Sequence, residues 1–486
     1  MKMKKLQDII ATVEVLRVVG DAQTEIAALN YDSRRVAEGD CFFAVVGVQS
    51  DGHDYIAQAV ERGAHAVVCE RMPEEVAEGV CYVEVPDTNA AMADMAAAFY
   101  DHPSRELKLV GVTGTNGKTT TATLLYDLFR LLGYRAGLIS TVVYRVGERE
   151  IESTHTTPDS IRLNAMLRDM VDEGCDYCFM ECSSHAIVQD RIRGLRFVGG
   201  MFTNLTHDHL DYHKTFAEYL RAKKLFFDRL SKEAFALTNI DDRNGRVMVQ
   251  NTQATVRTLS LRSMADFRCK VIEMLPDGML LRLDGEEVWV KCIGRFNAYN
   301  MLTIYAAAIM LGQSKEEVLT AISMLHPVSG RFEYIRAADG TTAVVDYAHT
   351  PDALENVIST IEEFRRPDQK LIVLCGCGGD RDKTKRPEMA AIAVKYADTS
   401  IFTSDNPRTE DPEQILRDMV EGLPLDARYL KIADRSEAIR TAAMLARAGD
   451  IILLAGKGHE TYQVIGTEKI HFDDREEIRK HFANRK

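Results

Sequence analysis

The sequence predicts an α/β protein of three domains, with a central P-loop ATPase-like α/β domain flanked by an N-terminal α/β domain and a C-terminal Rossmann-like domain. Three observations lead there. The chain has 486 residues, and single domains commonly run to roughly 100–200. The stretch Leu107–Leu132 (LKLVGVTGTNGKTTTATLLYDLFRLL) reads as a buried strand, a glycine-rich turn, Lys-Thr and an apolar-periodic helix. Beyond residue 331, strand-like runs alternate with helices and each strand ends in a polar, charged loop, the signature of a doubly wound sheet with its loops on one rim. The expected divisions are 1–104, 105–330 and 331–486.

Composition narrows the class. Hydrophobic content of 46% and charged content of 27% are those of a soluble globular protein. The formal charge of −13 argues against a nucleic-acid partner, whose backbone wants a basic face. The start, MKMKKLQDIIATVEVLRVV, is interrupted by Asp8, Glu14 and Arg17, so it has no signal-peptide core. The most apolar helix candidate, Ala298–Leu311, carries Asn300 and Thr303. It is too short and too polar for a membrane span and reads as a helix buried in a domain core. The ten cysteines show no paired zinc framework; they read as small buried hydrophobes of a reducing compartment, the cytoplasm.

In the N-terminal region, Asp40–Val46 and Ala64–Cys69 read as strands around a helix, Tyr55–Arg62, that stops at Gly63. The segments Tyr31-Asp32-Ser33-Arg34 and Asp51-Gly52-His53-Asp54 read as turn chemistry.

The central region carries the clearest chemistry. Gly111, Gly114 and Gly117 lead into Lys118 and Thr119. Such glycines let backbone N–H groups curl around an anion, and the helix N-terminus adds partial positive charge. Lys118 can reach the β/γ-phosphates and the Thr119 hydroxyl can ligate Mg²⁺. The strict P-loop pattern wants glycine at position 112, where this chain has Val112. Further on, Ser153–Pro158 is too rich in hydroxyls to be core, and Asp159 can cap the next helix. The strand Tyr177–Met180 runs into Glu181, placed to ligate the metal bound to a nucleotide, because ligands gather at the carboxyl ends of parallel strands. After the strand Phe197–Thr203 comes Asn204–His213, with His207, Asp208, His209, Asp211 and His213 in close succession. Zinc is one candidate for that cluster; the second magnesium of a phosphoryl-transfer site is the other. By composition Lys223 and Lys224, on the helix Phe216–Leu230, read as solvated. Asp-Gly turns at 277–278 and 284–285 predict a small β-meander at the domain's edge.

In the C-terminal region, Ala343–Asp346, Leu371–Cys375, Ser400–Thr403 and Asp450–Ala455 read as strands. They are followed by Tyr347–Pro351, Gly376–Arg386, Asp405-Asn406-Pro407-Arg408 and Gly456–Glu460.

The ordered set YDSRRV, GVTGTNGKTTT, THTTP, ECSSHAI, NLTHDHLDYH, SGRFE, DYAHTPDAL, GGDRDKTKRP, DNPRTEDP and GKGHE spans essentially the whole chain. In it the chain resembles the Mur ligases, ATP-dependent enzymes that add amino acids to the peptidoglycan precursor. The family's phosphate loop has its first glycine where this chain has Gly111. The resemblance implies one domain for a UDP-sugar, one for ATP and one for the incoming amino acid. It implies that Ser33 and Arg34 lie near the uridine end, and that Asn116, Thr156, Thr157, Ser183, Gln189 and Arg191 hold the pyrophosphate and muramoyl peptide. Gly114, Thr115, Asn116, Gly117, Lys118, Thr119 and Thr120 would cradle ATP, with Asn297 and Asn300 at the adenine and Arg331 and Asp346 at the ribose and phosphates. Thr119, Glu181 and His209 would bind Mg²⁺. Lys223 would carry a CO₂-derived carbamate as a further metal ligand; Lys224 competes for that role, and spacing favours Lys223. Lys118, Lys223 and His209 are the implied catalytic set.

The DNPR form matches the diaminopimelate-adding members. Diaminopimelate differs from lysine by a distal carboxylate, which a guanidinium can grip with two parallel hydrogen bonds. The resemblance implies Asp405, Asn406, Pro407 and Arg408 as the amino-acid site, and adds Arg381 at the other carboxylate end with Gly456 and Glu460 near the distal amino and carboxyl groups. The substrates implied are UDP-MurNAc-L-Ala-D-Glu, diaminopimelate and ATP, joined by a monomer. A lysine-adding or folylpolyglutamate-type ligase is the alternative.

Overall fold

The apolar runs resolve into three main sheets. The computed structural model describes residues 3–47, 50–206, 210–275, 277–483 and 485, and only the backbone of Leu210 and Asp211. In the N-terminal region, five strands lie in the order Arg17–Val19, Cys81–Glu84, Ala66–Cys69, Cys41–Phe43 and Leu29–Asn30, parallel except for the first. Both tight segments expected there are turns. The Asp32 carboxylate accepts the N–H of Arg34 at 3.0 Å, and that of Asp51 accepts the N–H of His53 at 3.0 Å.

The central sheet has eleven strands. Its parallel heart runs Ala136–Ile139, Tyr177–Glu181, Lys108–Thr113, Phe197–Phe202, Phe235–Asn239, Thr255–Ser260 and Phe267–Leu275. A parallel strand is buried on both faces, and Lys108–Thr113 shows why its apolar run is continuous. Leu109 faces one core; Val110 and Val112 face the other. The second core also takes the helix Lys118–Leu131 and the apolar helix Arg295–Met310. Buried at both Ala298 and Leu302, the latter is the core helix its composition predicts. The expected meander is present: Phe267–Leu275, Gly278–Leu283 and Glu286–Val290 pair antiparallel at one edge. Asp284 and Gly285 both have positive φ, +49° and +96°, as the two-residue hairpin turn requires. The opposite edge is a hairpin, Val143–Val146 with Arg149–Glu152, which the sequence reading did not include.

The C-terminal sheet runs Glu333–Arg336, Thr342–Asp346, Ile451–Ala455, Leu371–Cys375, Thr399–Phe402 and Tyr429–Lys431, parallel after the first strand. Alternation again feeds two cores: Leu371 and Val373 enter one, Ile372 and Leu374 the other. The strand ends Asp346, Cys375, Phe402 and Ala455 therefore lie on one rim, as the polar loops predict. No helix among the described residues is long and apolar enough to cross a membrane, and all ten cysteines are buried and unbridged.

Candidate active site

The phosphate loop leaves the carboxyl end of Lys108–Thr113 and enters Lys118–Leu131. Its shape is set by the end of the neighbouring strand. The Asn116 N–H donates to Asn204 Oδ1 at 2.9 Å, the Thr115 N–H to the Asn204 carbonyl at 2.8 Å, and Thr203 Oγ1 to the Asn116 carbonyl at 2.7 Å. A Cβ on Gly114 would collide with Thr203 Oγ1, and one on Gly117 would lie 2.7 Å from Asn300 Oδ1. Gly111 is displaced from the strict motif because it answers a different demand. It lies within the strand, where a Cβ would meet Phe226 Cζ at 2.7 Å and Cys182 Sγ at 2.9 Å. Lys118 Nζ curls over the loop to the carbonyls of Gly114 and Thr115, at 2.9 and 2.8 Å.

Around this loop the fold gathers residues far apart in sequence. Glu181 ends its strand fully buried. Its Oε1 accepts the Thr141 N–H at 2.7 Å and its Oε2 the Thr141 hydroxyl at 3.2 Å. Among the described residues no lysine or arginine pairs with it, so its charge fits a metal ion. Thr119 is buried nearby in the loop-to-helix turn. His209, with His207 and Asp208, lies outside the described residues, and among the described residues no three His, Cys, Asp or Glu side chains form a metal-holding group.

The two lysines of Phe216–Asp228 separate cleanly. Lys223 is buried, contrary to its solvated reading, and donates to the Gly114 carbonyl at 2.8 Å. Lys224 points away and pairs with Asp228 at 2.6 Å. The reason is helical: Lys223 shares the inward face with Tyr219, Phe226 and Phe227. Asn297 and Asn300 are buried beside the loop and joined to each other at 3.0 Å. Thr120 is likewise buried. Thr157 donates to the Glu181 carbonyl at 2.7 Å, Ser183 caps the following short helix, and Gln189 Oε1 accepts from Arg191, which also reaches the Thr157 carbonyl at 2.8 Å. Ser33 lies apart in the N-terminal region, buried and donating to Gln58 at 2.6 Å. Arg34, exposed, pairs with Asp32 at 2.9 Å.

The C-terminal region reaches the loop through Arg331. Its Nη2 donates to Thr119 Oγ1 at 3.2 Å and its guanidinium stacks on Tyr347, 4.6 Å from the ring centre. Its Nε is buried with no partner among the described residues, as suits a group that meets an anion. Asp346 holds the turn behind it, accepting the N–H groups of Phe332 at 2.7 Å and Ala348 at 2.8 Å. Burial raises its carboxyl above the ordinary range.

Between the two regions lies a cavity of about 670 Å³. Arg381, Asp405, Asn406, Arg408, Gly456 and Glu460 line one side, and Thr156 and His185 face them from the central domain. Pro407 is in the same loop but is not among its lining residues. Sequence reasoning passed over two members of this site that its own motifs contain. His185, in ECSSHAI, lines the cavity. Lys457, in GKGHE, is fully buried and bridges Glu460 at 3.1 Å and Asp405 at 3.5 Å. Burial, with Asp405 beside it, pushes the Glu460 carboxyl up. Burial also pushes His459 down to about 3, helped by Arg331.

Three family descriptions match the chain in order: Mur ligase family, catalytic domain, over residues 25–100; Mur ligase middle domain over 112–309; and Mur ligase, glutamate ligase domain, over 330–458. The chain is 56% identical to a UDP-N-acetylmuramoyl-L-alanyl-D-glutamate–2,6-diaminopimelate ligase of Phocaeicola vulgatus, covering 99% of this chain and 100% of that protein. It is 54% identical to the ligase of the same name from Bacteroides fragilis, covering 99% of each. A solved structure carrying that ligase name superposes with a TM-score of 0.70 at 32% identity over 99% of both chains.

Proposed function

This chain belongs to the Mur ligase family of ATP-dependent, ADP-forming ligases, and we propose that it adds diaminopimelate to UDP-MurNAc-L-Ala-D-Glu, in the cytoplasm and as a monomer. The observation that carries the choice of amine is the cavity in which Arg381 and Arg408 stand beside Asn406, Glu460 and Gly456. Two guanidiniums suit the two carboxylates of diaminopimelate. The proposed division of labour follows the three sheets, with boundaries near 104 and 330: UDP-sugar, ATP, amino acid.

A carboxylate is a poor acyl donor because its oxygen is a bad leaving group. In the proposed reaction a carboxylate oxygen of the glutamyl residue attacks the γ-phosphorus of ATP, the bond to the bridging oxygen breaks, and ADP leaves. The amine of diaminopimelate then attacks the carbonyl carbon of the acyl phosphate, the carbon–oxygen bond to phosphate breaks, phosphate departs and the amine loses its proton. Little covalent work falls to the protein; it positions groups and neutralises charge. The N–H groups of residues 114–120 and Lys118 would hold the phosphates, with Arg331 adding a charge from the C-terminal domain. Asn297 and Asn300 would meet the adenine, and Asp346 would fix the turn that carries Arg331. Ser33 would lie at the uridine, and Asn116, Thr156, Thr157, Ser183, Gln189 and Arg191 along the pyrophosphate and peptide.

Thr119, Glu181 and, as a carbamate, Lys223 would hold Mg²⁺, with His209 completing the set; the metal when bound neutralises the phosphate oxygens. The buried Glu181, paired with no lysine or arginine among the described residues, and the inward Lys223 support this reading. Water would hydrolyse the acyl phosphate, and closure of the C-terminal domain over the central one would oppose it.

The test is phosphate release from ATP in the presence of UDP-MurNAc-L-Ala-D-Glu, comparing diaminopimelate with lysine. Strong preference for diaminopimelate is expected. Preference for lysine would keep the ligase and overturn the amine; no stimulation by either would overturn the reaction.

A further inference from the structure

Arg381 and Arg408 sit on different loops, 378–382 and 405–410, and what holds those loops facing one cavity lies behind them. Arg386, in the first turn of Lys385–Tyr396, has a fully buried side chain and does not line the cavity. Its two Nη atoms donate to the two oxygens of Glu410 at 3.0 and 2.9 Å, and Nη1 also donates to Asp418 at 2.7 Å. Glu410 in turn accepts the N–H of Asp380 at 2.6 Å. Asp380 accepts the Thr409 hydroxyl at 2.8 Å, the Gly379 N–H donates to the Asn406 carbonyl at 2.9 Å, and Arg408 Nη1 donates to the Gly379 carbonyl at 2.8 Å. These bonds run back and forth between the two loops. Both loops also hold a non-glycine residue at positive φ, Asp380 at +53° and Arg408 at +52°. Side chains disfavour that region, so the loops need an external hold. The pairing with Arg386 is tight enough to keep the Glu410 carboxyl down at about 2.

We propose that Arg386 is a positioning residue that sets amine-donor specificity, by locking the loop of Arg381 against the loop of Arg408 through Glu410. This rests on the amine-site reading above. A planar guanidinium can serve two carboxylates at once in a fixed fork; a lysine ammonium keeps the charge and loses the fork. The lock fixes the separation of the two guanidiniums that the donor's carboxylates must span, and the phosphate loop lies outside the ring of bonds.

The experiment is steady-state kinetics of Arg386→Lys, Glu410→Gln and the double variant, varying each substrate in turn and offering lysine as a competing amine. In either single variant the KM for diaminopimelate is expected to rise about 10- to 100-fold, with kcat changed by less than about 5-fold and the KM for ATP unchanged. Preference for diaminopimelate over lysine should fall by about 10-fold, and the double variant should be no worse than the poorer single one. Glu410→Gln keeps the shape of the side chain and carries the test if Arg386→Lys does not fold. An unchanged KM and selectivity in a folded variant would overturn the proposal, as would an equal rise in the KM of all three substrates. The wild-type protein in the same assay separates the two readings. If it uses lysine instead, the amine reading fails. The lock is then judged on the KM for lysine, a rise sustaining it and no change overturning it.

Discussion

The phosphate loop and the rim of the C-terminal sheet both carry positive groups, yet they are built differently. Gly114–Thr119 is one short stretch, whose backbone groups bond to the Asn204 amide and carbonyl oxygens and to the Thr203 hydroxyl. The rim draws Arg381, Asn406, Arg408 and Glu460 from three strand ends and holds them with buried charges, Lys457 among Asp405, Asn406 and Glu460 and Arg386 between Glu410 and Asp418. Backbone donors serve any nucleotide phosphate and vary little when side chains vary. Side-chain grips are selective, and one substitution changes what they select. On the proposed function, turnover would depend on the loop and choice of amine on the rim.

The largest effect should come from the loop. Lys118→Ala is expected to lower kcat by about 10³-fold or more, since the developing phosphate charge loses its main side-chain partner. Near-normal phosphate release would mean that the loop does not bind the reacting phosphate. Next is the buried lysine beside it. Lys223→Ala should lose about 10²-fold in kcat and regain part of it with added short carboxylic acids, while Lys224→Ala stays close to wild type. Rescue at Lys224 instead would move the carbamate to the side chain that pairs with Asp228.

On the rim, the expectation is a change of KM rather than kcat. Arg408→Ala should raise the KM for diaminopimelate about 10²-fold and leave that for ATP unchanged. An unaltered KM for the amine would remove Arg408 from the binding site and blur the contrast between the two regions.

The smallest effect is one of stability. The Glu410 carboxyl, with an ordinary value of 4.5, is held at about 2 by its hydrogen bonds from Arg386. A carboxyl depressed on folding contributes stability that is full above its unfolded value and fades as pH falls through the folded one. The stability advantage of wild type over Glu410→Gln, read from urea unfolding, should therefore be constant above about pH 5 and shrink between about 4.5 and 2. A constant difference across that window would show that the pair is not coupled as the geometry implies.

Much of this molecule was legible from residue order. The phosphate loop was, because strand, glycine turn and helix are adjacent in the chain and their periodicities change at the loop. The four polar strand ends of the C-terminal sheet were, because apolar runs of four or five residues stop abruptly at charged ones. The core helix Arg295–Met310 and the meander with its Asp284-Gly285 turn followed from composition and turn chemistry. The edge hairpin Val143–Glu152 did not, since its outer strand Arg149–Glu152 is mostly exposed and carries a single apolar residue, Ile151.

What needed the tertiary structure were facts that depend on which face of an element is covered. Lys223 and Lys224 are neighbours of equal composition. Only the packing of Phe216–Asp228 against the sheet buries one on the Gly114 carbonyl and leaves the other to Asp228. Lys457 and Arg386 look like surface charges in the chain, and only the closing of strand ends around them makes them buried ties. The sequence by itself determined the architecture and the residue types gathered at the candidate site, because local periodicity and short motifs encode both. Which charges are buried, and what they hold in place, was decided by contacts between segments as distant as Gly114 and Lys223 or Arg331 and Thr119, and no local pattern records those.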